Sequence, residues 1–174
     1  MILLLHKIHT YCSQKYERFN SSFADNTSMA FGTDDGNGHD YILAKISYVG
    51  FVDPYGVEGV VILKTDQGKE FPMRAFSGEV ARHIARFQQG DKGSIPTIYN
   101  LVQELAEMKE MLLAEVRVYQ SGSVLRANLH FKGRDDQLIL RNYRASDCIA
   151  LAAYYDMPIL VRKNLFEEAV QEKK

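Results

Sequence analysis

Three consecutive runs decide the fold: Leu112-Leu-Ala-Glu-Val-Arg-Val-Tyr-Gln120, Val124-Leu-Arg-Ala-Asn-Leu-His-Phe-Lys132 and Gln137-Leu-Ile-Leu-Arg-Asn142. Each alternates apolar and polar residues, the period of a strand with one face covered. In the middle run Leu125, Ala127, Leu129 and Phe131 share one side, and Arg126, Asn128, His130 and Lys132 the other. Ser121-Gly-Ser123 and Gly133-Arg-Asp-Asp136 are short enough to make hairpins. Ser146 then caps a predicted helix to about Tyr155, ended by Asp156-Met-Pro158. A short strand over 158–161 and a last helix over 164–171 complete this end.

The preceding part of the chain has the same order. Strands are predicted over 41–51, 59–65 and 70–74, with turns at Asp53-Pro-Tyr-Gly56 and Asp66-Gln-Gly68. Ser77 caps a helix to about Gln88, with Glu79 in its first turn, where the helix dipole favours an acid. Between the units, Thr97–Met108 reads as an amphipathic helix with Ile98, Leu101, Val102 and Leu105 on one face. The expected fold is α+β: a curved, mostly antiparallel or mixed sheet with packed helices. It has two strand-strand-strand-helix units plus a C-terminal strand and helix.

Residues 1–40 differ. They carry Lys7, Lys15 and Arg18 against Glu17, Asp25, Asp34, Asp35 and Asp40. No Lys or Arg occurs from Asn20 to Asp40, where Ser, Thr, Asn, Asp and Gly dominate. This composition predicts an N-terminal arm and a flexible acidic linker ahead of a domain over 41–174. The Asp35-Gly-Asn-Gly-His-Asp40 stretch reads as a Gly/Asn turn, and His6 and His9 lack a third ligand nearby for a metal site.

The whole chain has 174 residues and a formal charge of −1, from 21 Lys+Arg and 22 Asp+Glu. A histone-like basic protein and an acidic solvating tail are both excluded. The two cysteines, Cys12 and Cys148, have neither disulfide-framework nor zinc spacing, which fits a reducing cytoplasm. The apolar opening Met1–Leu5 stops at His6, too short for a membrane span, so no membrane partner is expected. No phosphate-binding P-loop, dinucleotide fingerprint or nucleophile elbow occurs.

Arg144-Ala-Ser-Asp147-Cys-Ile-Ala-Leu-Ala152, Met157-Pro-Ile-Leu-Val161 and Asn164-Leu-Phe-Glu-Glu-Ala169 resemble the bifunctional nuclease domain family. Its hallmark reads Arg-Pro-Ser-Asp-Ala-Ile-Ala-Leu-Ala, followed by Pro-Ile and a short acidic helix. Val49-Gly50, Pro72 and Pro96 follow in family order, so the resemblance extends over roughly 41–170. It implies an α+β fold, self-association as a homodimer or higher homo-oligomer, and hydrolysis of DNA or RNA. Three positions depart from the family pattern. Ala145 replaces the hallmark Pro, Asn142 an acid, and Tyr99-Asn100 a His-Asp pair.

Phosphodiester hydrolysis needs an activated water and stabilisation of phosphoryl charge. The acids left by the resemblance are Asp147 and Glu79, candidate ligands of Mg²⁺ or Mn²⁺. Arg144 is a bidentate phosphate clamp, and Ser146 belongs to a helix start whose N–H groups favour an anion. The same residues have a purely architectural reading: Ser146 as cap, Asp147 as dipole acid, Arg144 as its ion-pair partner. A second candidate is the polar strand face with Arg117, Tyr119, Arg126, Asn128, His130, Lys132 and Arg141, which could track a nucleic-acid backbone or lie solvated. Three functions therefore stand: a divalent-cation-dependent nuclease; a non-catalytic nucleic-acid- or protein-binding module, for which the positions lacking carboxylates argue; or a small-anion sensor at the Ser146 helix mouth.

Overall fold

A computed structural model describes residues 40–171. The expected arm and linker, with Cys12, His6, His9 and nearly all of the Gly/Asn turn, lie outside the described residues. The strands are β1 (Tyr41–Phe51), β2 (Glu58–Thr65), β3 (Glu70–Ser77), β4 (Leu112–Ser121), β5 (Val124–Lys132), β6 (Gln137–Arg144) and β7 (Ile159–Arg162). The helices are α1 (Gly78–Gln88), α2 (Ile98–Met108), α3 (Ala145–Tyr155) and α4 (Lys163–Gln171). The fold is the expected α+β arrangement, a mixed and mostly antiparallel sheet with helices packed against it.

One sheet runs in the order β3-β2-β1-β7-β4-β5-β6. Each predicted unit is a meander, and β7 is inserted between them. It pairs antiparallel with β1, from Tyr41↔Arg162 to Ala44↔Ile159, and parallel with β4, from Val116↔Ile159 to Val118↔Val161. Both of its inward side chains, Ile159 and Val161, are fully buried. Three apolar residues, two of them β-branched, followed by Arg162, suffice for this central place because neighbours on both sides complete their hydrogen bonds.

Helix α3 is apolar nearly all round, as an interior helix must be. Of its eleven residues only Asp147 and Ala153 escape burial. Its small residues Ala145, Ser146, Cys148, Ala150 and Ala152 are buried between α1 and the sheet. The helix ends at Asp156, in the left-handed region at φ 56°, followed by Pro158. Helix α1 is capped as expected, the Ser77 hydroxyl accepting from the Val80 N–H at 3.3 Å.

One expectation is corrected. β6 continues to Arg144 and α3 starts at Ala145, so Ser146 is not the cap; it lies inside the first turn, 4% exposed. On α2, three residues of the apolar face, Ile98, Leu101 and Leu105, are 62%, 47% and 54% exposed, and the fully buried side is represented by Tyr99. Periodicity located the apolar face correctly but not the side on which the sheet stands.

Candidate active site

The start of α1 is built by a turn. Asp53 accepts the backbone N–H groups of Tyr55, Val57 and Glu58 at 2.9, 2.9 and 2.6 Å. These bonds, led by that from Glu58, hold its carboxyl below the ordinary range. The turn is then clamped onto α1: the Gly78 N–H donates to the Val57 carbonyl at 2.7 Å, and the Arg82 guanidinium donates to the Gly56 carbonyl at 3.0 Å. A Cβ at Gly78 would sit 1.7 Å from the Gly56 oxygen, so only glycine allows this approach. Glu79 follows immediately.

Glu79 is exposed and its Oε1 lies 3.8 Å from His83 Nε2, one helical turn on. The His83 ring meets Tyr99 edge-on at 5.6 Å and stacks on Phe87 at 6.0 Å. Sequence reading missed His83, although its i, i+4 spacing from Glu79 was visible.

On the other side, Arg144 and Asp147 both reach solvent, with side chains 64% and 48% exposed, and their charged groups are 3.9 Å apart. The start of α3 therefore faces outward, and the Arg144–Asp147 contact is loose enough for either group to engage a ligand.

Tyr99 connects the two helix starts. It is 6% exposed, and burial pushes its phenol from 10.0 up to about 12. The charges of Asp147 and Glu79 and the Cys148 sulfur push the same way, and Arg144 pulls it down. The charges of both helix starts thus bear on the Tyr99 hydroxyl, after the larger effect of burial. Cys148 is 2% exposed, and burial, aided by Asp147, raises its thiol to about 12. It is a buried structural thiol.

Ser146 does not join this exposed constellation, being buried. The two asparagines at family acid positions have architectural roles. Asn100 Oδ1 accepts the Thr97 N–H at 2.9 Å, starting α2, and its Nδ2 donates to the Lys92 carbonyl at 2.9 Å and the Tyr154 hydroxyl at 3.0 Å. Asn142 sits at φ 65° in a bulge where the β5–β6 register shifts. Its side-chain oxygen accepts the Tyr119 hydroxyl.

The polar face of β4 and β5 is not a solvated platform. Glu115, Arg117, Asn128 and His130 are 9%, 8%, 5% and 3% exposed. Arg117 Nε donates to Glu115 Oε1 at 2.6 Å, and the guanidinium lies 5.6 Å from the centre of the Tyr41 ring. His130 Nδ1 is 3.8 Å from the same carboxylate oxygen. Burial removes Arg117 and His130 from any polymer-binding surface. Arg126 and Lys132 are half-buried and Arg141 is exposed.

Among the described residues, no three His, Cys, Asp or Glu side chains gather to hold a metal ion. The hard oxygens of Glu79 and Asp147 suit a hydrated Mg²⁺ or Mn²⁺ completed by water and substrate phosphate, rather than a closed protein cage. Among the described residues, no helix is long and apolar enough to cross a membrane.

A mixed, mostly antiparallel sheet with helices packed against it is the arrangement the hallmark implied. The bifunctional nuclease domain model matches residues 61–174, more than half of the chain, and the protein belongs to that family. The match begins within β2, leaving β1 outside although β1 lies well inside the sheet. Comparison with curated proteins returns no match.

Proposed function

We propose that this protein is a nuclease hydrolysing phosphodiester bonds of DNA or RNA with the help of Mg²⁺ or Mn²⁺. The observation that carries the reading is the exposed Arg144–Asp147 pair at the start of α3, with Glu79 beside His83 at the start of α1, in a chain of the bifunctional nuclease domain family. Arg144 grips the non-bridging phosphate oxygens and offsets their charge. Tyr99 keeps its proton throughout the neutral range and stabilises the site as a neutral dipole. His83, whose Nε2 faces Glu79, moves a proton at its other ring nitrogen, Nδ1, during attack or departure. Asp147 and Glu79 would hold the cation, which would supply an activated water and neutralise phosphoryl charge. Arg126, Lys132 and Arg141 extend a basic edge along the polymer. The buried thiol of Cys148 accords with a cytoplasmic setting.

A second reading is a non-catalytic nucleic-acid- or protein-binding module. It is favoured by the capping and bulge roles of Asn100 and Asn142, which stand where relatives carry acids. Incubation of labelled single-stranded RNA and DNA with pure protein decides between them. The nuclease cuts with Mg²⁺ or Mn²⁺, stops with chelator, and loses about 100-fold or more in Asp147→Ala and Glu79→Gln with the fold retained. A binding module shifts the probe uncut, with affinity falling steeply as salt rises.

A further inference from the structure

The turn joining β1 to β2 carries an aromatic, apolar surface that the described residues leave open. Phe51 and Val52 at its start are 45% and 48% exposed, Tyr55 at its apex 86%, and Val57 at its end 71%. Apolar residues scattered singly over a surface need no explanation, but these four lie within seven positions and form a patch. The turn is firmly held. Asp53 ties it from inside through its three backbone hydrogen bonds, and the Gly56 N–H donates to the Asp53 carbonyl at 3.2 Å. Pro54 fixes a further backbone angle. Tyr55 therefore stands on a rigid support, which reduces the ordering cost of covering its ring.

Arg82 joins this patch to the candidate active site. Its guanidinium lies 5.2 Å from the centre of the Phe51 ring and donates to the Gly56 carbonyl at 3.0 Å. Among the described residues no carboxylate pairs with Arg82. A guanidinium has donors to spare after one such bond, so it can receive an anion while stacked. Positions 79, 82 and 83 share one face of α1. Arg82 thus stands beside His83 and Glu79, whose side chain is 82% exposed. Tyr55 is two residues from Val57, whose carbonyl accepts the Gly78 N–H at 2.7 Å immediately before Glu79.

Size and charge select the occupant. The four side chains expose roughly 450 Å², about half of the roughly 800 Å² that each partner gives to a specific protein interface. That area suits one or two nucleobases, which stack on an aromatic face whatever their sequence, with an arginine for the phosphate.

We propose that Tyr55, Phe51 and Arg82 form a base-stacking subsite, in which Tyr55 covers an unpaired base next to the scissile bond and Arg82 takes the neighbouring phosphate. The place of the subsite in a reaction rests on the nuclease reading above, but its binding is measurable without cleavage. Bases inside a duplex stack on one another, so the subsite favours an unpaired strand.

Fluorescence anisotropy of the full-length protein in chelator tests it, with labelled oligo(dT) and an abasic strand of equal length as probes. The two carry the same phosphates and differ in their bases alone. Wild type binds oligo(dT) about 10-fold more tightly, the scale of one base on one ring. Tyr55→Ala removes the preference and leaves abasic affinity unchanged, and Tyr55→Phe retains it; both keep the wild-type circular dichroism spectrum, as expected at an exposed position. Arg82→Gln weakens both strands alike and lowers the salt slope by about one. Equal binding of the two strands by wild type, or binding of neither, overturns the proposal, as does a preference that survives in Tyr55→Ala. An unchanged salt slope in Arg82→Gln overturns the phosphate contact. With Mg²⁺ or Mn²⁺ present, Tyr55→Ala raises KM about 10-fold with little change in kcat. Cleavage at wild-type KM overturns the subsite and leaves the nuclease reading standing. Base-dependent binding through Tyr55 without any cleavage upholds the stacking site and overturns the nuclease reading.

Discussion

The backbone N–H of Asn142 donates to the side-chain oxygen of Asn128 at 3.1 Å, locking the bulge that turns β6 toward α3. Asn142 is held at φ 65°, where a β-branched residue is strongly disfavoured and Asn or Gly is tolerated. Asn142→Val is expected to lower unfolding free energy by about 1–3 kcal/mol, and Asn142→Gly by clearly less, as measured by urea denaturation. The bulge lies two residues before Arg144. The Val variant is therefore also expected to weaken phosphate-dependent activity more than its loss of stability explains.

Gly78 tests the other helix start. Gly78→Ala forces its Cβ into the Gly56 carbonyl, so the Asp53 turn must lift away from α1. The expected cost is about 1–3 kcal/mol, as for other overpacked contacts. Glu79 moves with the helix start. Activity per folded molecule falls in Gly78→Ala, whereas Gly90→Ala, at an open site with φ 82°, affects stability alone. Equal activity in the two variants would detach Glu79 from the reaction.

The Glu115–Arg117 pair is buried, its side chains 12% and 9% exposed. Removing one partner strands a charge. Arg117→Met is expected to destabilise by about 3–5 kcal/mol, and Glu115→Gln/Arg117→Met to recover much of that loss. Nucleic-acid affinity per folded molecule should not change in the double variant, because neither side chain reaches the surface. Arg141→Ala, at an exposed position, is expected to lower the salt dependence of binding.

Tyr99 predicts an alkaline limit. Its folded-state phenol titrates near 12 against 10.0 for the free group, so above pH 10 the unfolded chain gives up a proton that the folded chain keeps. The resulting contribution is intact below pH 10 and is lost as pH rises toward 12. Thermal melts across that window are expected to fall more steeply for wild type than for Tyr99→Phe. Parallel slopes would mean the phenol is not held as described.

Asp53 works with the opposite sign. Its carboxyl is depressed by hydrogen bonds from the turn backbone, so its contribution is present above the ordinary carboxylate pKa and is lost as pH falls below it. The melting temperature of Asp53→Asn should be lower than wild type at neutral pH, and the gap should narrow in acid.

Much of the fold was legible because alternation and capping are local. The β4–β6 meander, the Ser77 cap and the strand order within each unit follow from side-chain period and turn residues. What lay beyond reach was relational. Alternation along β5 showed two faces but not that Asn128 and His130 on the polar one would be buried. The four residues of β7 gave no sign that they join the two halves. The apolar stripe of α2 was visible, but whether it faced the sheet depends on how Tyr99 packs against His83 and Phe87. Glu79 and Asp147 were read as the acids from their motif context. The packing of α1 on α3, which carry them, is a long-range contact outside any local pattern, and His83 was overlooked because an i, i+4 Glu–His pair is common on any solvated helix.

The placement of β7 governs how the molecule comes together in time. β1 and β4 share no ladder; residues 159–162 provide the seam between their meanders. A growing chain has therefore emitted both halves of the sheet before the strand that stitches them exists. Until then each meander has an open inner edge, Tyr41–Ala44 on one and Val116–Val118 on the other, available to a neighbouring nascent chain. Until β7 emerges, the packing of α1 on α3, with Phe87 edge-on to Tyr154, is what holds the two meanders side by side.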